Sequence, residues 1–472
     1  MTLTSSLLLI ALLSQAPEAS LPTGPVLTLE EAMRTAKDNS LELKQAQARL
    51  EQAWSLSQKA WSGYLPRIQV GANYTRNNVA AVVTLPSGYY IRDLGSPQGP
   101  PFDPGLEVSV DNPPGSPTPY VLAPSGFNTV EIQRLNQLGL QVEANQAVIA
   151  PALWATIHSA YIAQKAARLT VDNVRRETFF ALAQLYYGAI GLKETVGVQE
   201  RLLEIQDRRE KDAQVRFQTG AITKVFLLRA QIDRARTEQD LRRARYSYAS
   251  SKSALAALLA REPNFEVTAP PEPQALPEST QNLVEQAPSE RPDVLAARAN
   301  LELAESNHRS NWLRYFPSIG LFGRYQVQNV SGFAGRPDVW AVGVGLTWSI
   351  FDGGLREAEL RDNAARIAEA RAASEAAHNR SQDEVRRAQY DLESARANRV
   401  KASEQLKLAQ ENLQLVTLNN TVGTATYLDV SDATANLLQA ELSVLSENLS
   451  AHLAVIKLAR AAGRFDPFPI QP

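Results

Sequence analysis

The strongest constraint in this sequence is a strand pattern that runs directly into a very long, uninterrupted helix pattern. From Trp340 to Ile350, large apolar residues alternate with small and polar ones, which is the period-two pattern of a β-strand. After Gly354, neither Gly nor Pro occurs until Gly423. A helix of about 66 residues would be roughly 100 Å long at 1.5 Å per residue. Soluble domains seldom need such a helix, so the junction is unusual.

The two faces of the predicted strand differ in chemistry. One face carries only Ala, Gly, Thr and Ser, and the other carries the apolar residues Trp340, Val342, Val344, Leu346, Trp348 and Ile350. A barrel strand with lipid on one side and water on the other shows this alternation, with aromatic residues at its ends. We therefore predict a membrane strand that continues into the long helix.

Composition excludes several classes of protein. The 472 residues include 48 basic and 50 acidic side chains, for a net charge of −2, so nothing in the charge indicates nucleic acid as a partner. Cysteine is absent, which excludes disulfides, thiolate metal sites and a cysteine nucleophile. The four histidines lack metal-ligand spacing, and no nucleophile elbow or phosphate loop occurs. We expect no enzymatic activity, no cofactor and no bound metal.

Residues 1–19 resemble a secretory signal peptide with an apolar core at Leu7–Leu13. The segment before this core lacks Lys and Arg, and the cleavage site is not defined by the sequence. The alternative interpretation is an apolar terminus without a targeting role. As an anchor, this apolar run would be too short to span a membrane.

The first half of the chain combines helix and strand patterns. Thr28 and Glu31 have the spacing of a capping box, which predicts a helix start. A Pro- and Gly-rich segment from Asn77 to Asn128 has no periodic pattern, and we predict a long irregular loop there. The other predicted elements are a helix to Asn39, a helix over 40–61, strands over 67–75 and 138–148, and helices over 151–218 and 224–261.

The second half repeats the plan of the first half. A shift of 251 positions places Trp61, Tyr64, Pro66, Ile68 and Tyr74 on Trp312, Tyr315, Pro317, Ile319 and Tyr325. At the far turn, the shift is 203 and Gly220 falls on Gly423. The common order of these matches predicts an internal repeat. We predict a signal peptide at 1–19, a first repeat at 27–262, a Pro-rich linker at 263–290, a second repeat at 291–463 and a tail at 464–472.

Small apolar residues recur along the long helices with the spacing of coiled coils. Such seams predict close helix neighbours, and helices this long favour a hollow ring of coiled coils over one compact bundle. The seam of the longest helix contains Val385, Ala388, Leu392, Ala395, Ala402, Leu406, Ala409, Leu413 and Val416. The seam of the last helix contains Ala433, Leu437, Ala440, Val444, Ala451, Ala454, Leu458 and Ala461.

Four predicted strands per chain cannot close a barrel. They lie near 67–75, 138–148, 318–328 and 340–350, and each has about ten residues, as a tilted membrane strand requires. The smallest membrane barrels have about eight strands, and an open sheet edge cannot face lipid. The chain must therefore associate, and three copies would supply twelve strands.

Four features resemble the TolC family of outer-membrane efflux proteins. They are the repeated helix–Pro–strand junctions, Arg291-Pro292-Asp293, the segment from Ile350 to Gly354 and the paired turns at Gly220 and Gly423. The resemblance covers nearly the whole chain from Leu27 to Gly463. It rests on the order of the motifs, because each motif alone is weak.

The resemblance implies an α+β membrane protein in the outer membrane of a Gram-negative-type cell. Four β-strands per chain would contribute to a trimeric twelve-stranded barrel, continued by a long α-helical coiled-coil tunnel in the periplasm. The implied function is an exit duct for small-molecule efflux or type I protein secretion. The implied partners are two further copies in a homotrimer, a periplasmic adaptor protein and an inner-membrane transporter of the RND, ABC or MFS class.

The resemblance also implies a tunnel entrance near the second turn, where the family carries acidic residues. Asp429 and Asp432 match that pattern, and the equivalent positions of the first repeat are Phe226 and Arg229. We expect these four residues at the entrance, with a possible pairing of Arg229 with Asp432. The alternative is that both carboxylates only favour the start of a helix through its dipole.

This sequence departs from the family's pattern at two entrance positions. Ala425 and Asn420 stand where an arginine and a tyrosine occur in the best-known member. The entrance is therefore expected to be held by different contacts.

The two tight turns between paired helices are candidates for adaptor docking. Glycine permits the left-handed backbone that a helix end needs, and its missing side chain leaves room for an approaching helical hairpin. The alternative is that both glycines only terminate helices. The candidate residues are Thr219, Gly220, Ala221, Val422, Gly423 and Thr424.

Five aromatic residues flank the predicted membrane strands and are typical of a membrane-interface girdle. For Trp61 and Trp312, a role as aromatic caps over helix ends is an alternative. The candidate girdle residues are Trp61, Tyr64, Trp312, Tyr315 and Trp348.

A second class of function fits the same helices. The chain could be a periplasmic coiled-coil scaffold or adhesin whose strands form a soluble β-domain. A soluble domain buries one apolar face and protects its edge strands with charge. The apolar faces of the predicted strands carry no charge, which favours contact with lipid.

Overall fold

The computed structural model describes residues 24–93, 108–109, 120–273, 277 and 279–468. The predicted signal peptide lies outside these residues, as do parts of the predicted loop, linker and tail. The chain forms two compact units. The first unit contains the described residues up to Leu56, Tyr161–Glu305 and those from Ala364 onward, and the second contains Ser57–Ala160 and Ser306–Asn363.

Long helices dominate the described chain. In chain order they are α1 (Leu29–Asn39), α2 (Leu41–Ser62), α3 (Pro151–Gln218), α4 (Lys224–Leu258), α5 (Thr280–Glu290), α6 (Pro292–Leu313), α7 (Leu355–Thr421) and α8 (Tyr427–Ala461). The strands are β1 (Val26–Leu27), β2 (Arg67–Arg76), β3 (Ala81–Asp93), β4 (Val108–Ser109), β5 (Tyr120–Gln133), β6 (Asn136–Ile149), β7 (Glu266–Val267), β8 (Ser318–Gln328) and β9 (Asp338–Thr347). None of the helices among these described residues is long and apolar enough to cross a membrane.

Helix lengths recur between the two halves of the chain. Helices α1 and α5 both have 11 residues, and α2 and α6 both have 22. Helices α4 and α8 both have 35 residues, whereas α3 has 68 and α7 has 67. The two halves therefore contain matched sets of helices, starting at α1 and at α5.

The prediction of a Pro-rich linker over 263–290 was wrong for its last third. Helix α5 occupies Thr280–Glu290, and its start is capped by the Ser279 hydroxyl, which accepts a hydrogen bond from the Asn282 amide. Leu283 and Ala287 are buried in a helical core, which holds this segment in place. The proline at position 288 lies inside α5 and concealed the helix in the sequence.

A four-stranded antiparallel sheet forms the centre of the second unit. Its strand order is β2-β6-β8-β9, so that the strands of the two halves meet where β6 pairs with β8. All four strands were predicted from the alternation in the sequence. Their apolar and polar faces are separated as expected, because residues paired across the sheet lie on the same face.

The prediction that the last strand extends to Ile350 was wrong by three residues. Strand β9 ends at Thr347, and the next backbone and side-chain groups bond to residues outside the sheet. The Trp348 indole donates to the Tyr315 carbonyl at 3.0 Å, and Arg356 donates to the Ile350 carbonyl at 3.0 Å. Gly353 and Gly354 then turn the chain into α7 with φ angles of 75° and 86°.

The prediction of an irregular loop from Asn77 to Asn128 was wrong where the structure describes strands, at Ala81–Asp93, at Val108–Ser109 and from Tyr120 onward. Strands β3 and β5 pair as an antiparallel ribbon from Ala81–Gln133 to Asp93–Tyr120, and β4 pairs with β5. The Pro- and Gly-rich stretches fall mainly between these strands, over positions 94–119. Pro86 and Gly88 lie inside β3, where register shifts accommodate them and hide the strand pattern.

The core of the first unit is built around large side chains of α3. Phe179, Leu182 and Tyr186 are fully buried, and they pack with residues of α1 and α4. The Tyr186 hydroxyl lies 2.7 Å from the Leu27 carbonyl and 2.8 Å from the Thr268 carbonyl. These contacts fix the parallel pair of β1 and β7 against α3.

Small residues on α7 and α8 form a second core in the same unit. Val385, Ala388 and Leu392 of α7 are buried against Ala454 and Leu458 of α8. This pairing confirms that part of each predicted seam is a helix interface. Alanine allows the two helices to approach closely, and the exposed positions between seam residues are mostly charged or polar.

The C-terminal segment is fixed to α3 by a left-handed turn. Gly463, just after α8, has a φ of 77°, and an added Cβ would lie 3.1 Å from the Glu290 carbonyl carbon. The Gly463 carbonyl accepts a hydrogen bond from Arg176 at 2.6 Å, and Arg175 forms an ion pair with Asp466 at 2.7 Å. Glycine is required at this position for both its backbone conformation and its lack of a side chain.

We predict that Gly463→Ala destabilises the protein more than Gly423→Ala. Both glycines have positive φ angles, so either alanine costs about 1–2 kcal/mol of left-handed strain. Only at Gly463 would the new Cβ also meet backbone atoms, since nothing lies within 4 Å at Gly423. Thermal unfolding followed by circular dichroism at 222 nm measures the difference. Equal losses of stability in the two variants would contradict this account of the turn.

Candidate functional site

Two helix-to-helix turns lie in the first unit, one after α3 and one after α7. Gly220 and Gly423 adopt left-handed backbone angles, with φ of 76° and 81°. The Ala221 amide donates to the Arg216 carbonyl at 2.8 Å, and the Thr424 amide donates to the Asn419 carbonyl at 2.9 Å. Both glycines thus terminate helices, as the alternative interpretation requires. The other candidate tip residues, which are all exposed, are Thr219, Ala221, Val422 and Thr424.

The first turns of α4 and α8 are brought together by an apolar cluster. Leu227 and Ala230 of α4 are buried with Ala213 of α3, and Tyr427 of α8 packs against them. The rings of Phe226 and Tyr427 meet edge to face with centroids 6.2 Å apart. The two predicted turns therefore belong to one site, in which Phe226 has a packing role.

A polar network lies directly behind this cluster. The Tyr427 hydroxyl donates to the Asp233 carboxylate at 3.2 Å, and the Ser431 hydroxyl lies 3.4 Å from the same oxygen. Burial, together with the nearby charge of Asp233, raises the pKa of Tyr427 to about 12. Burial lowers the pKa of Arg209, which faces the same two residues. Asp233 thus links α4 to the start of α8.

Sequence reasoning missed Asp233 and Tyr427 as site residues. Asp233 follows Phe226 by two helical turns, so the two lie on the same face of α4. This spacing was the available signal. It carries little information by itself, because charged residues occur at most turns of these helices.

Asp429 has a defined structural role at the start of α8. Its carboxylate accepts hydrogen bonds from the Thr426 amide and hydroxyl, each at 2.7 Å, while its own amide donates to the Thr426 hydroxyl. This is a complete capping box. The hydrogen bonds from Thr426 hold the pKa of Asp429 below its usual value. The carboxylate is exposed, so capping does not remove its charge from the solvent.

Asp432 and Arg229 are exposed and lie apart within one chain. Across the described residues, Asp432 has no hydrogen bond or ion pair, and it does not pair with Arg229. The predicted pairing of these two residues is therefore absent within a chain, and a pairing between copies stays a prediction.

The five candidate girdle residues all lie in the second unit, beside the ends of the sheet strands. Trp61 packs edge to face on Tyr64 with centroids 6.3 Å apart, and the Tyr64 hydroxyl donates to the Val148 carbonyl at 3.2 Å. Tyr315 donates to Glu357 at 2.8 Å and lies under the Arg356 guanidinium at 4.4 Å. The three tryptophan residues, Trp61, Trp312 and Trp348, are each between 44% and 56% exposed. An aromatic residue with a bonded polar end and an exposed apolar body is typical of a membrane interface.

The described residues contain no cluster of three or more His, Asp or Glu side chains that could hold a metal ion. The groups with shifted pKa values are paired in structural networks, as at Arg291, where a buried guanidinium contacts Asp293 and Glu384, each at 2.7 Å.

Comparisons with known proteins show which proteins this chain is similar to. The family model described as "Outer membrane efflux protein" matches residues 283–464. Over 301 residues the chain is 23% identical to the outer membrane efflux protein BepC of Brucella suis, an alignment that covers 63% of this chain and 66% of BepC. Residues 283–464 are thus similar to the family of outer membrane efflux proteins.

Solved structures of outer membrane proteins share the fold of this chain. The outer membrane protein VceC of Vibrio cholerae matches with a TM-score of 0.71 and 21% identity over 92% of this chain and 96% of VceC. The CmeC outer membrane channel of Campylobacter jejuni matches with a TM-score of 0.73 and 15% identity over 93% of this chain and 86% of CmeC. These comparisons place the protein in the outer membrane and indicate no catalytic family. The aligned segment spans just under two thirds of BepC.

We predict that Tyr427→Phe loosens the two turns without unfolding the protein. The variant keeps the ring that packs on Phe226 and removes only the hydroxyl that bonds Asp233. Limited digestion with trypsin should then cleave faster after Arg216 and Lys224, which flank the first turn.

The matched control is Tyr246→Phe, at an exposed tyrosine of α4 that has no bonding partner among the described residues. Equal cleavage rates in wild type and Tyr427→Phe would show that the hydroxyl does not restrain the turns.

The raised pKa of Tyr427 predicts a loss of stability in alkali. The folded state holds this proton up to about pH 12, whereas the unfolded chain releases it near pH 10. Stability supplied by the protonated hydroxyl is therefore complete below pH 10 and is lost as the pH rises toward 12. The thermal midpoint of wild type should fall faster than that of Tyr427→Phe over this range. Parallel curves would contradict the assignment.

Proposed function

We propose that three copies of this chain form an exit duct through the outer membrane. The duct would receive substrates from an inner-membrane transporter through a periplasmic adaptor protein. The single observation that carries this proposal is the four-stranded sheet, which has one continuous apolar face and two open edges. In the described chain, β2 pairs only with β6, and β9 pairs only with β8.

The apolar face of the sheet is suited to lipid. Across β2, β6, β8 and β9 the registers align Val70 with Val142, Tyr325 and Trp340, and an adjacent row aligns Ile68 with Ala144, Gly323 and Val342. In a single chain these residues are largely exposed: Ile68 at 69%, Val70 at 68%, Trp340 at 71%, Val342 at 74% and Val344 at 68%. An exposed apolar face of this size requires an apolar partner that removes it from water. Lipid hydrocarbon can be that partner without any protein covering the face.

The open edges of the sheet require further copies of the chain. Hydrocarbon offers no hydrogen-bond partner, so each unpaired amide or carbonyl of β2 and β9 would cost several kcal/mol in lipid. Pairing β2 of one copy with β9 of the next satisfies both edges. Three copies provide twelve strands and close the barrel.

The helices carry unpartnered seams that support the same assembly. On α4, exposed apolar residues recur at spacings of three and four: Val225, Leu228 and Ile232, each more than 45% exposed. On α7, exposed apolar residues recur at spacings of seven and three at Leu408, Leu415 and Leu418. Seams of this kind are coiled-coil interfaces, and neighbouring copies would cover them.

The tunnel entrance and the adaptor contact are assigned to the helix turns. Asp429 and Asp432 are exposed near the start of α8, and three copies would supply a ring of carboxylates. Phe226, Arg229 and the network of Tyr427 with Asp233 would hold this ring in place. The exposed tip residues Thr219, Ala221, Val422 and Thr424 would contact the adaptor.

The assembly predicts a trimeric mass. The protein extracted in mild detergent should have about three times the mass of one chain by light scattering, and it should form channels in planar bilayers. A stable, folded particle of a single 51.7 kDa chain would contradict the proposal. A water-soluble particle that does not enter bilayers would instead favour the scaffold or adhesin.

The entrance predicts a change in ion selectivity. The double replacement of Asp429 and Asp432 by Asn should shift the bilayer reversal potential away from cations, because a carboxylate ring in a narrow mouth concentrates them. Asp432→Asn alone separates charge from capping, since only Asp429 bonds Thr426. The control is Glu411→Gln on the exposed surface of α7. Unchanged ion selectivity in the double variant would show that neither aspartate lies at the entrance.

The tips predict a loss of export without a loss of assembly. Thr219→Arg and Val422→Arg should leave the trimer and its channel intact, because both side chains are exposed and do not form the turns. Export and crosslinking to the adaptor should be abolished, because a bulky charge would block the approach of a helical hairpin. Gln47→Arg, at an exposed position of α2, serves as the control. Normal export by the tip variants would show that the adaptor binds elsewhere.

A further inference from the structure

The polar face of the sheet carries three charged side chains. Within the four strands, the charged residues on this face are Glu143, Arg324 and Arg67, which is the first residue of β2, whereas Arg76 and Asp338 lie on the opposite face. Gln69 pairs with Glu143, and Glu143 pairs with Arg324, so one row of the sheet runs from β2 to β8 through these residues. The adjacent row on the same face aligns Arg67 with Asn145 and Phe322.

The charges in these two rows do not cancel. Glu143 accepts a hydrogen bond from Gln141 on its own strand and has Arg324 directly opposite on β8. Arg67 and Arg324 are exposed, and neither forms a hydrogen bond or ion pair with any residue that the structure describes. Each chain therefore contributes two guanidinium groups and one carboxylate, for a net charge of +1 on this face.

An aromatic ring lies beside the arginines. Phe322 covers Gly343 and Gly345 of β9, where an added Cβ would lie 2.6 Å and 3.8 Å from its ring. The two glycines thus give the ring a place to lie flat along the polar face, which is otherwise made of small and amide side chains. A guanidinium group next to an aromatic face attracts anions that have an apolar or aromatic body.

We propose that Arg67, Glu143, Arg324 and Phe322 form a selectivity ring inside the barrel that favours organic anions. The inference rests on the proposed function, because it requires the polar face to line the lumen of a closed barrel. Rings of fixed arginine charge select anions in pores, and residues that face the lumen of a barrel set its selectivity. The ring carries the opposite sign to the carboxylates proposed at the entrance, so the two sites act separately on the same cargo.

The proposal is tested by reversal potentials in planar bilayers under a KCl gradient. The double replacement Arg67→Gln and Arg324→Gln should shift the permeability ratio toward K⁺ by roughly twofold or more, because fixed charge in a cleft concentrates counter-ions. Glu143→Gln should shift the ratio toward Cl⁻. Arg324→Lys keeps the charge and should retain the selectivity of wild type, and it covers the case in which the double variant does not insert.

The matched control is Arg76→Gln. Arg76 lies at the far end of the same strand, alternates onto the opposite face and is bonded to Asn136 at 2.6 Å. A second readout uses sodium benzoate as a blocker of the Cl⁻ current. Phe322→Leu should weaken this block and leave the K⁺ to Cl⁻ ratio unchanged.

The outcomes separate this inference from the proposed function. If wild type forms trimeric channels but the arginine variants keep its reversal potential, or shift it no more than Arg76→Gln does, the selectivity ring is wrong and the duct stands. If wild type forms no channel, both are wrong. Benzoate block of equal strength in wild type and Phe322→Leu would show that Phe322 does not contribute and that the ring acts through its charges alone.

Discussion

The proposed assembly depends on one constraint. Backbone N–H and C=O groups that face hydrocarbon must find their hydrogen-bond partners within the protein. The sheet of β2, β6, β8 and β9 satisfies its interior bonds and leaves one edge open on each side. In the proposed duct the apolar face of this sheet meets lipid, where open edges are costly, so a single chain would be an incomplete unit. The exposed seams on α4 and α7 show the same incompleteness in the helices, where apolar residues at coiled-coil spacing have no partner within the chain.

Sequence reasoning located the regular elements because their patterns are strong. The four strands of the sheet alternate without interruption, and α7 contains no helix breaker, so local pattern and tertiary structure agree. The capping box at Thr28 and Glu31 was likewise visible and is present at 3.1 Å and 3.2 Å. The ribbon of β3 and β5 was missed because Pro86 and Gly88 lie within a strand at a bulge, and α5 was missed because of its internal proline. Strand pairing holds the ribbon and burial holds α5, and both outweigh the local effect of a Pro or Gly. A single sequence shows neither the pairing nor the burial.

The candidate site was predicted only in part. The two glycine turns and the residues flanking them could be read from the sequence, because glycine after a long helix pattern indicates a helix end. The contact of Tyr427 with Asp233 could not be read from it. These residues are 194 positions apart and meet only because α4 and α8 pack side by side at their first turns. For Asp429, the capping box and a position at the entrance are compatible, since the bonded carboxylate remains exposed.

The attachment of the C-terminal segment to α3 also bears on the order in which the chain folds. Phe465 and Phe468 pack on Phe180 and Phe179, in the same core that contains residues of α1 near the start of the described chain. These contacts therefore join segments from opposite ends of the described chain in one core. Contacts over such sequence separations slow folding, because a large loop must close before they form. In a chain built in this way, this core is complete only after segments from both ends of the described chain have met.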